Sequence, residues 1–475
     1  MGMECHFAGV LQPSDAKQHI AHPFVVPEQT TQLCIRLWHS EGNDAELSNM
    51  LTLTLFDPHG FRGAGHRMGK RHDGGRVHNV TLSASHATPG YIAGALPGGE
   101  WSVMIATHRI TGTEPCVYRL DVAADCAKDA AQKFEPAPGE TIVRHSSEDS
   151  TRGTRWYRGD LHAHTVHSDG RWDVPDLVTW ARRSSLDFVT LSDHNTVSGL
   201  AQMNALSSSG LLTLSGQELT TFYGHALALG LSDWVDWRIG DGRSMPAIAH
   251  QVQAAGGLFI IAHPMAIGDP ICTGCSWAYA DMMPGPARIV EIWNSLWDSP
   301  SSRNEATLAL FYEWLNRGYR LVATAGTDNH GPRPANSPSE AFADKRYGFN
   351  NVFAEANTER AILDAIRQGH LFLSSRPHIE CEAYLTSGQR AMMGDVLPTN
   401  ANESAMLTAT WRGCVAGDRI RVIADGTLRN ESSSGASGVG SWQLDVAQTR
   451  WVAIEIRNEV GHVVAITNPI FFTRE

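Results

Sequence analysis

The alternation of apolar and polar residues divides the chain into three segments. Up to residue 150, runs such as "LTLTLFDPHG" and "VYRLDVAAD" alternate apolar and polar positions, and Pro-Gly or Gly-Gly turns separate them. A period of two indicates half-buried β-strands, and several such strands in sequence favour a sandwich. Residues 1–150 are therefore predicted to form an N-terminal β-sandwich that ends in a polar linker, "EPAPGETIVRHSSEDSTRGTR".

Between residues 151 and 376 the pattern changes. Short, continuous apolar runs such as "LDFVTLS", "GLFIIAH" and "RLVATAG" alternate with helix-like segments such as "SRNEATLALFYEWLNRG". This alternation is typical of an α/β fold with a parallel sheet, and the number of units favours a TIM-like barrel. Residues 377–475 return to β patterning and predict a second, C-terminal β-sandwich. The predicted fold is thus an α/β barrel flanked by two β-sandwich domains.

Composition and charge narrow the class of protein. A formal net charge of −12 and a charged fraction of 19% argue against nucleic acid as the partner, and no apolar run is long enough to predict a membrane span. The N-terminus lacks the pattern of an export signal, so a cytoplasmic protein with reduced thiols is expected. Among the eight cysteines, Cys272 and Cys275 form an isolated "CTGC", for which a loop-stabilising role is favoured over zinc binding.

Imidazole and carboxylate groups follow the ends of the predicted strands. In "DLHAHT", His162 and His164 are two residues apart, so a strand directs both imidazoles to one face. The other candidate ligands at strand ends or in the adjoining loops are Asp169, His194, Glu218, His225, His263, Asp328 and His330. Barrel enzymes build their active sites at the C-terminal ends of the strands, so these side chains are expected to converge. Nine ligands are too many for one zinc ion and suit two or three divalent ions, Zn²⁺, Mn²⁺ or Fe²⁺.

The motifs "DLHAHT", "SDHN", "GQE", "GH", "AHP" and "GTDNHG", in this order, resemble those of the PHP (polymerase and histidinol phosphatase) family over about residues 157–376. The flanking β-modules and the "CTGCSW" after "AHP" look closest to its CehA/McbA branch. The resemblance implies a distorted, seven-stranded (β/α)7 PHP barrel with two or three metal ions.

Carried over motif by motif, the resemblance also implies a ligand set for each ion. The first ion would be held by His162, His164, Glu218 and Asp328; Glu218 would bridge to a second ion held by His225 and His263; the third would be held by Asp169, His194 and His330. Asp169 stands where many relatives have histidine. His167 has no place in the pattern and is interpreted either as a residue that supports a ligand or as a loop residue.

The expected chemistry is hydrolysis of an ester by a metal-bridging hydroxide. A phosphoester is the favoured substrate, which would make the protein a phosphatase or phosphodiesterase. A carbamate or carboxyl ester, as in the CehA/McbA type, is the alternative, and a non-catalytic binding protein is the distant one. The sequence shows no serine nucleophile elbow and no P-loop.

Four further residues receive candidate roles. Asp193 and His330 are the candidate catalytic residues; His330 is a protonatable imidazole, and Asp193 orients a neighbour rather than binding metal. Tyr223 and Arg333 are the candidate substrate-binding residues. The expected partner is a small-molecule ester, with no nucleic acid or membrane, and the two sandwiches are candidate surfaces for a homo-oligomer.

Overall fold

The computed structural model describes residues 3–44, 46–125, 152–208, 210–240, 242–282, 286–332, 346–400 and 403–474. Most of the predicted linker and Arg333 lie outside these ranges. Within them the chain forms twenty-eight β-strands and five α-helices. None of the helices in the described ranges has the length and apolar character needed to cross a bilayer.

The first nine strands form two antiparallel sheets, here called the N-terminal module. Their bounds are β1 (Glu4–Leu11), β2 (His19–Val26), β3 (Gln32–Ser40), β4 (Met50–Asp57), β5 (Gly60–Gly65), β6 (Lys70–His72), β7 (Gly75–Ser83), β8 (Gly99–Arg109) and β9 (Cys116–Ala124). The strand orders are β1-β9-β3-β7-β6 and β2-β8-β4-β5. Alternate side chains of both sheets, including Leu37 and Trp101, are buried in one shared apolar core, as a period of two requires.

The central segment alternates strands with helices. Its elements are β10 (Arg152–Asp160), α1 (Val174–Arg183), β11 (Phe188–Leu191), α2 (Leu200–Ala205), β12 (Leu212–Thr220), β13 (His225–Leu229), α3 (Met245–Ala254), β14 (Leu258–Ile261), β15 (Ile289–Asn294), α4 (Asn304–Asn316), β16 (Val322–Gly326), β17 (Phe349–Ala356), α5 (Glu359–Gln368) and β18 (Leu371–Ser374). The side chains of Asp173, Ser244 and Thr358 accept a backbone hydrogen bond at the starts of α1, α3 and α5. These bonds satisfy amides that a helix start leaves unpaired.

The central strands do not show the predicted (β/α)7 barrel. They form a sheet with the order β16-β15-β14-β13-β12-β11-β10-β17-β18, in which four of the eight neighbouring pairs are antiparallel. The antiparallel direction of β12 and β13 has a local cause. Their connection is only residues 221–224, whereas a parallel pair needs a crossover of about a dozen residues or more. The predicted alternation of strands and helices is therefore present, but the sheet contains both parallel and antiparallel pairs.

Two asparagine side chains take the place of a neighbouring strand at the edge of β16. The backbone amide of Ala325 donates to Asn350 Oδ1 at 2.9 Å, and Asn350 Nδ2 donates to Ala325 O at 2.7 Å. In the same way, the backbone amide of Ala323 donates to Asn468 Oδ1 at 2.7 Å, and Asn468 Nδ2 donates to Ala323 O at 3.0 Å. Both asparagines are buried, so these amides satisfy backbone groups that water does not reach.

The C-terminal strands extend the central sheet. They are β19 (His378–Leu385), β20 (Arg390–Met392), β21 (Val396–Thr399), β22 (Ala405–Arg412), β23 (Arg419–Ala424), β24 (Thr427–Ser433), β25 (Ser437–Leu444), β26 (Trp451–Arg457), β27 (Val463–Thr467) and β28 (Ile470–Arg474). β19, β20, β22 and β25 form a separate antiparallel sheet, whereas β27 pairs with β18 and joins the remainder to the central strands. One hydrogen-bonded sheet thus contains strands from both sides of residue 376. The domain boundaries at 150 and 376 stay predictions.

We predict that Asn350→Leu lowers the free energy of unfolding by about 2 kcal/mol or more, because both backbone groups of Ala325 lose their partner in a buried position. Urea denaturation followed by fluorescence measures the loss. The matched control is Asn351→Leu, whose side chain is only partly buried on the neighbouring position of β17. Equal stability of the two variants would show that the amide does not stabilise the edge of β16.

Candidate metal centre

The nine predicted ligands lie together at one end of the central strands. His162, His164 and Asp169 follow β10, and His194 follows β11. Glu218 lies within β12, and His225 begins β13. His263 follows β14, and Asp328 and His330 follow β16. Their ligand atoms form overlapping groups in which all atoms lie within 4.8 Å of one another.

The first group contains His162, His164, Glu218 and Asp328. The two Nε2 atoms of the histidines are 3.1 Å apart. Each lies 3.3–3.4 Å from Glu218 Oε2 and 3.1–3.5 Å from Asp328 Oδ1. Four atoms that bind a tetrahedral zinc ion at about 2.1 Å are roughly 3.4 Å from one another. The distances of the two imidazole nitrogens from each other and from each carboxylate oxygen therefore suit ligands of one tetrahedral ion.

The second group uses the other oxygen of the same carboxylate. Glu218 Oε1 lies 3.1 Å from His225 Nδ1 and 3.2 Å from His263 Nε2. Glu218 is completely buried, and its Oε2 lies 2.8 Å from His194 Nδ1, although no hydrogen bond of good geometry reaches it from the described residues. A buried carboxylate needs positive charge beside it, which protonated imidazoles or divalent ions supply. The residues present thus fit a pair of divalent ions that share Glu218.

The third group is the most exposed. Asp169 Oδ1 lies 3.1 Å from His330 Nε2 and 3.6 Å from His194 Nε2. The Asp169 and His330 side chains are 33% and 28% exposed, whereas the first two groups are buried apart from Asp328. His164 belongs to this group as well as to the first. The separation of the ligands into three independent sets is therefore less strict than the motifs imply.

Burial and neighbouring carboxylates shift the pKa values of the histidines of the centre in opposite directions. Burial lowers the pKa of His263, but the Glu218 carboxylate raises it to about 9 overall. For His330 the carboxylate of Asp169 outweighs burial and raises the pKa to about 10. Burial and neighbouring imidazoles lower the pKa of His164 to about 4. Despite burial, the surrounding imidazoles hold the pKa of Glu218 well below its usual value.

Glu291 is a functional residue that the motifs did not predict. Its Oε1 lies 3.0 Å from His162 Nδ1, and its Oε2 accepts a hydrogen bond from the backbone amide of His263 at 3.0 Å. Asn294 Nδ2 donates to Glu291 Oε2 at 3.1 Å and to Asp328 Oδ2 at 3.3 Å. A carboxylate that holds Nδ1 of a histidine fixes which ring nitrogen faces the metal. The signal in the sequence was a single charged residue inside the apolar strand "IVEIWN".

The "CTGC" loop holds another ligand in place. Cys272 and Cys275 form a disulfide, in contrast to the reduced thiols expected from the sequence. His263 Nδ1 lies 3.1 Å from the carbonyl oxygen of Cys275. A carbonyl only accepts hydrogen bonds, so Nδ1 carries the proton and Nε2 is left for Glu218 and an ion. The loop therefore positions a ligand rather than binding the ion itself.

The remaining predicted site residues occupy different positions. Asp193 is buried and accepts hydrogen bonds from Thr165 N at 2.8 Å and Thr165 Oγ1 at 2.6 Å, so its carboxylate orients the loop after β10. His167 Nδ1 lies 2.8 Å from Ser198 Oγ, away from the ligand groups. Tyr223 is 44% exposed in the turn that precedes His225. Arg333 lies outside the described residues, and its role stays a prediction.

The chain matches no protein-family model and no curated protein. Among solved structures it is similar to a two-domain protein containing a predicted PHP-like metal-dependent phosphoesterase from Bacteroides vulgatus ATCC 8482. The sequence identity is 16% and the TM-score 0.37, over 71% of this chain and 100% of that chain.

Two shorter proteins are also similar. The first is a putative metal-dependent phosphoesterase from Bifidobacterium adolescentis ATCC 15703, with 18% identity and a TM-score of 0.29 over 39% of this chain and 91% of that chain. The second is an amidohydrolase from Chromobacterium violaceum with bound sulfate and no metal, with 16% identity and a TM-score of 0.27 over 37% of this chain and 88% of that chain. None of the three similarities distinguishes the CehA/McbA branch. At these TM-scores the chemistry has to be argued from the site itself.

We predict that metal binding at pH 7 releases protons and that metal affinity rises with pH. The raised pKa values of His263 and His330 mean that both imidazoles are protonated at pH 7, and an ion must displace those protons to bind Nε2. Titration calorimetry in buffers of different ionisation enthalpy gives the number of protons. A binding enthalpy that is the same in all buffers would contradict the prediction.

We predict that Glu291→Gln weakens metal binding roughly 10- to 100-fold, the usual effect of removing a partner that orients a ligand. Competition with a chromophoric chelator measures the dissociation constant for Zn²⁺. The control is Glu355→Gln, an exposed carboxylate on β17, which should leave the constant unchanged. If both variants bind Zn²⁺ as the unaltered protein does, Glu291 does not orient the ligands.

Proposed function

We propose that this chain is a metal-dependent hydrolase that cleaves an ester bond, with a phosphoester as the substrate class. The observation that carries the proposal is the Glu218 carboxylate, whose two oxygens face two different imidazole groups. A bridging carboxylate between two ligand groups is the arrangement that two-metal hydrolases use. Bound divalent ions would polarise the ester and lower the pKa of water at the centre.

The residues of the chain determine how a substrate reaches this centre. The most exposed ligands are His330, Asp169 and Asp328, so the substrate approaches from their side. His330 Nδ1 lies 2.8 Å from the carbonyl oxygen of Asp328, and its Nε2 lies 3.1 Å from Asp169 Oδ1. An ion in the third group would occupy Nε2, so the proposal assigns proton donation to the leaving group to a water molecule at the centre.

The phosphoester is favoured over a neutral ester because the third group and its surroundings suit an anion. The backbone amide of Arg171, an exposed residue, donates to His330 O at 2.8 Å, so its backbone lies next to a ligand of the third group. Guanidinium groups bind phosphate through paired hydrogen bonds. Two further arginines have other surroundings: Arg376 Nη2 donates to Asp418 Oδ1 at 2.7 Å, and Arg303 precedes α4.

One observation favours the alternative, a carbamate or carboxyl ester with an aromatic leaving group. Tyr223, Tyr279 and Trp277 form a row of aromatic rings beside His225, with centroid distances of 6.4 and 5.1 Å. Such a row is suited to stacking with an aromatic group. Trp293 and Trp297, in contrast, are buried in the core. The two substrate classes are therefore compared in one experiment.

The test measures hydrolysis of p-nitrophenyl phosphate, bis-p-nitrophenyl phosphate and a naphthyl carbamate by the full chain, with Mn²⁺, Zn²⁺ or Fe²⁺. We expect turnover of at least one phosphoester. We also expect His162→Ala to abolish it, because the first group loses one of its four ligand atoms. His250→Ala is the control, since His250 is exposed on α3 and should have no effect.

Hydrolysis of the carbamate alone would replace the phosphoester by the alternative substrate. Turnover and metal content that His162→Ala leaves unchanged would refute the assignment of the centre. No hydrolysis of any substrate by a fully metal-loaded protein would support the distant alternative, a binding protein.

A further inference from the structure

A residue of the N-terminal module holds the loop that carries Asp169. Arg67, two residues after β5, donates from Nε to the carbonyl oxygen of Ser168 at 2.8 Å. Its Nη2 donates to the carbonyl oxygen of Gly170. One planar guanidinium thus contacts the backbone on both sides of Asp169, although about 100 residues separate Arg67 from this loop in the chain. A rigid fork of donors restricts a loop more than a single donor does.

The preceding residue contacts another ligand of the same group. The His66 ring lies against the His194 ring with a centroid distance of 4.3 Å, and His108 lies behind it at 5.0 Å. His66 and Arg67 are adjacent in sequence, so a single strand end contacts both the loop of Asp169 and the imidazole of His194. These two ligands belong to the third group, the most exposed one.

Further hydrogen bonds fix the N-terminal module against the ligand loops. Thr196, two residues after His194, donates from Oγ1 to Gly90 O at 2.7 Å. Thr273, in the "CTGC" loop, donates from Oγ1 to His108 O at 2.9 Å. These two contacts hold the N-terminal module against the ligand loops near Arg67. The packing of the module therefore fixes the position of the Arg67 guanidinium.

We propose that Arg67 is a positioning residue of the third group and that the N-terminal module thereby sets the affinity of this group for its metal ion. The inference rests on the proposed function in taking the cluster as a metal centre. Asp169 is one-third exposed, and it lies in a loop rather than in a strand. The two hydrogen bonds from Arg67 direct its carboxylate towards His194 and His330.

Two physical effects of Arg67 on a bound ion have opposite signs, which makes the proposal testable. The guanidinium is positively charged, and Coulomb repulsion alone would weaken cation binding nearby, so its removal would tighten binding. The loss of the two hydrogen bonds would instead leave the Asp169 loop unrestrained and weaken binding. Loss of an orienting partner changes metal affinity by roughly 10- to 100-fold. Positioning therefore predicts weaker binding in a variant that has lost a repelling charge.

The experiment is a Mn²⁺ titration of the full chain by calorimetry, with metal content measured in parallel. We expect the unaltered protein to bind three ions, and Asp169→Asn identifies the weakened one as the ion of the third group. Arg67→Ala should weaken that same ion roughly 10- to 100-fold and leave the two others as they are. Arg67→Lys keeps the charge but cannot span both carbonyl groups, so it should not restore the affinity.

The matched control is Arg109→Ala. Arg109 also crosses from the N-terminal module, but its Nη1 donates to Pro270 O at 2.9 Å and Ile271 O at 2.8 Å, in a different loop. This variant removes interface contacts of the same kind and should leave the ion of the third group unchanged. An equal loss in both arginine variants would mean that a loosened interface, and not Arg67, lowers the affinity, and would overturn the proposal.

The remaining outcomes are also decisive. Unchanged or tighter binding of the third ion in Arg67→Ala would overturn the proposal, as would an unaltered protein in which Asp169→Asn affects no ion. If Arg67→Ala unfolds below the assay temperature, Arg67→Lys takes its place, and an affinity equal to that of the unaltered protein would contradict the inference. A protein that binds no Mn²⁺, Zn²⁺ or Fe²⁺ at all would instead count against the proposed function.

Discussion

The buried carboxylate of Glu218 imposes the main constraint on the centre of this structure. It has no contact with water, and imidazole nitrogens of five histidines lie within 3.4 Å of its oxygens. A charge removed from water needs partners of opposite charge, and breaking such an arrangement is costly. Protons on the imidazoles provide this charge in the metal-free protein, and divalent ions would provide it in the active form. The surrounding polar residues are arranged to keep the imidazoles in place around this one group.

The scaffold meets this constraint through the ends of its strands. The hairpin of β12 and β13 places Glu218 and His225 on neighbouring strands, and the parallel pairs of β10, β11 and β12 bring His162, His164 and His194 to the same end. Side-chain amides of Asn350 and Asn468 complete the edge of β16, and the buried Asp160 accepts from Thr327 at the point where that strand ends. Asp328 follows directly, so the edge of the sheet and the position of a ligand depend on the same contacts.

Much of the site could be predicted from the sequence because its ligands follow apolar strands at fixed short spacings. His162 and His164 are two residues apart, so an extended chain directs both rings to one face, and this does not depend on the direction of the neighbouring strands. Glu291 was missed because nothing in an apolar strand says which polar group it faces. The distorted (β/α)7 barrel is not shown, and the strand directions could not be predicted because short buried strands have the same pattern in parallel and antiparallel pairs. Arg67 was missed because its partners are carbonyl oxygens, which every residue has.

The sequence by itself determined the presence of the strands and which imidazole and carboxylate side chains follow them, since periodicity and side-chain chemistry are local properties. Only the tertiary structure decided which of these side chains lie within a few ångströms of one another, and that His164 takes part in two groups, because this depends on distances between atoms far apart in the chain. It also decided that the N-terminal module contributes Arg67 and His66 to the surroundings of the centre. Such contacts follow from how separate sheets pack, and no pattern within either sheet encodes them.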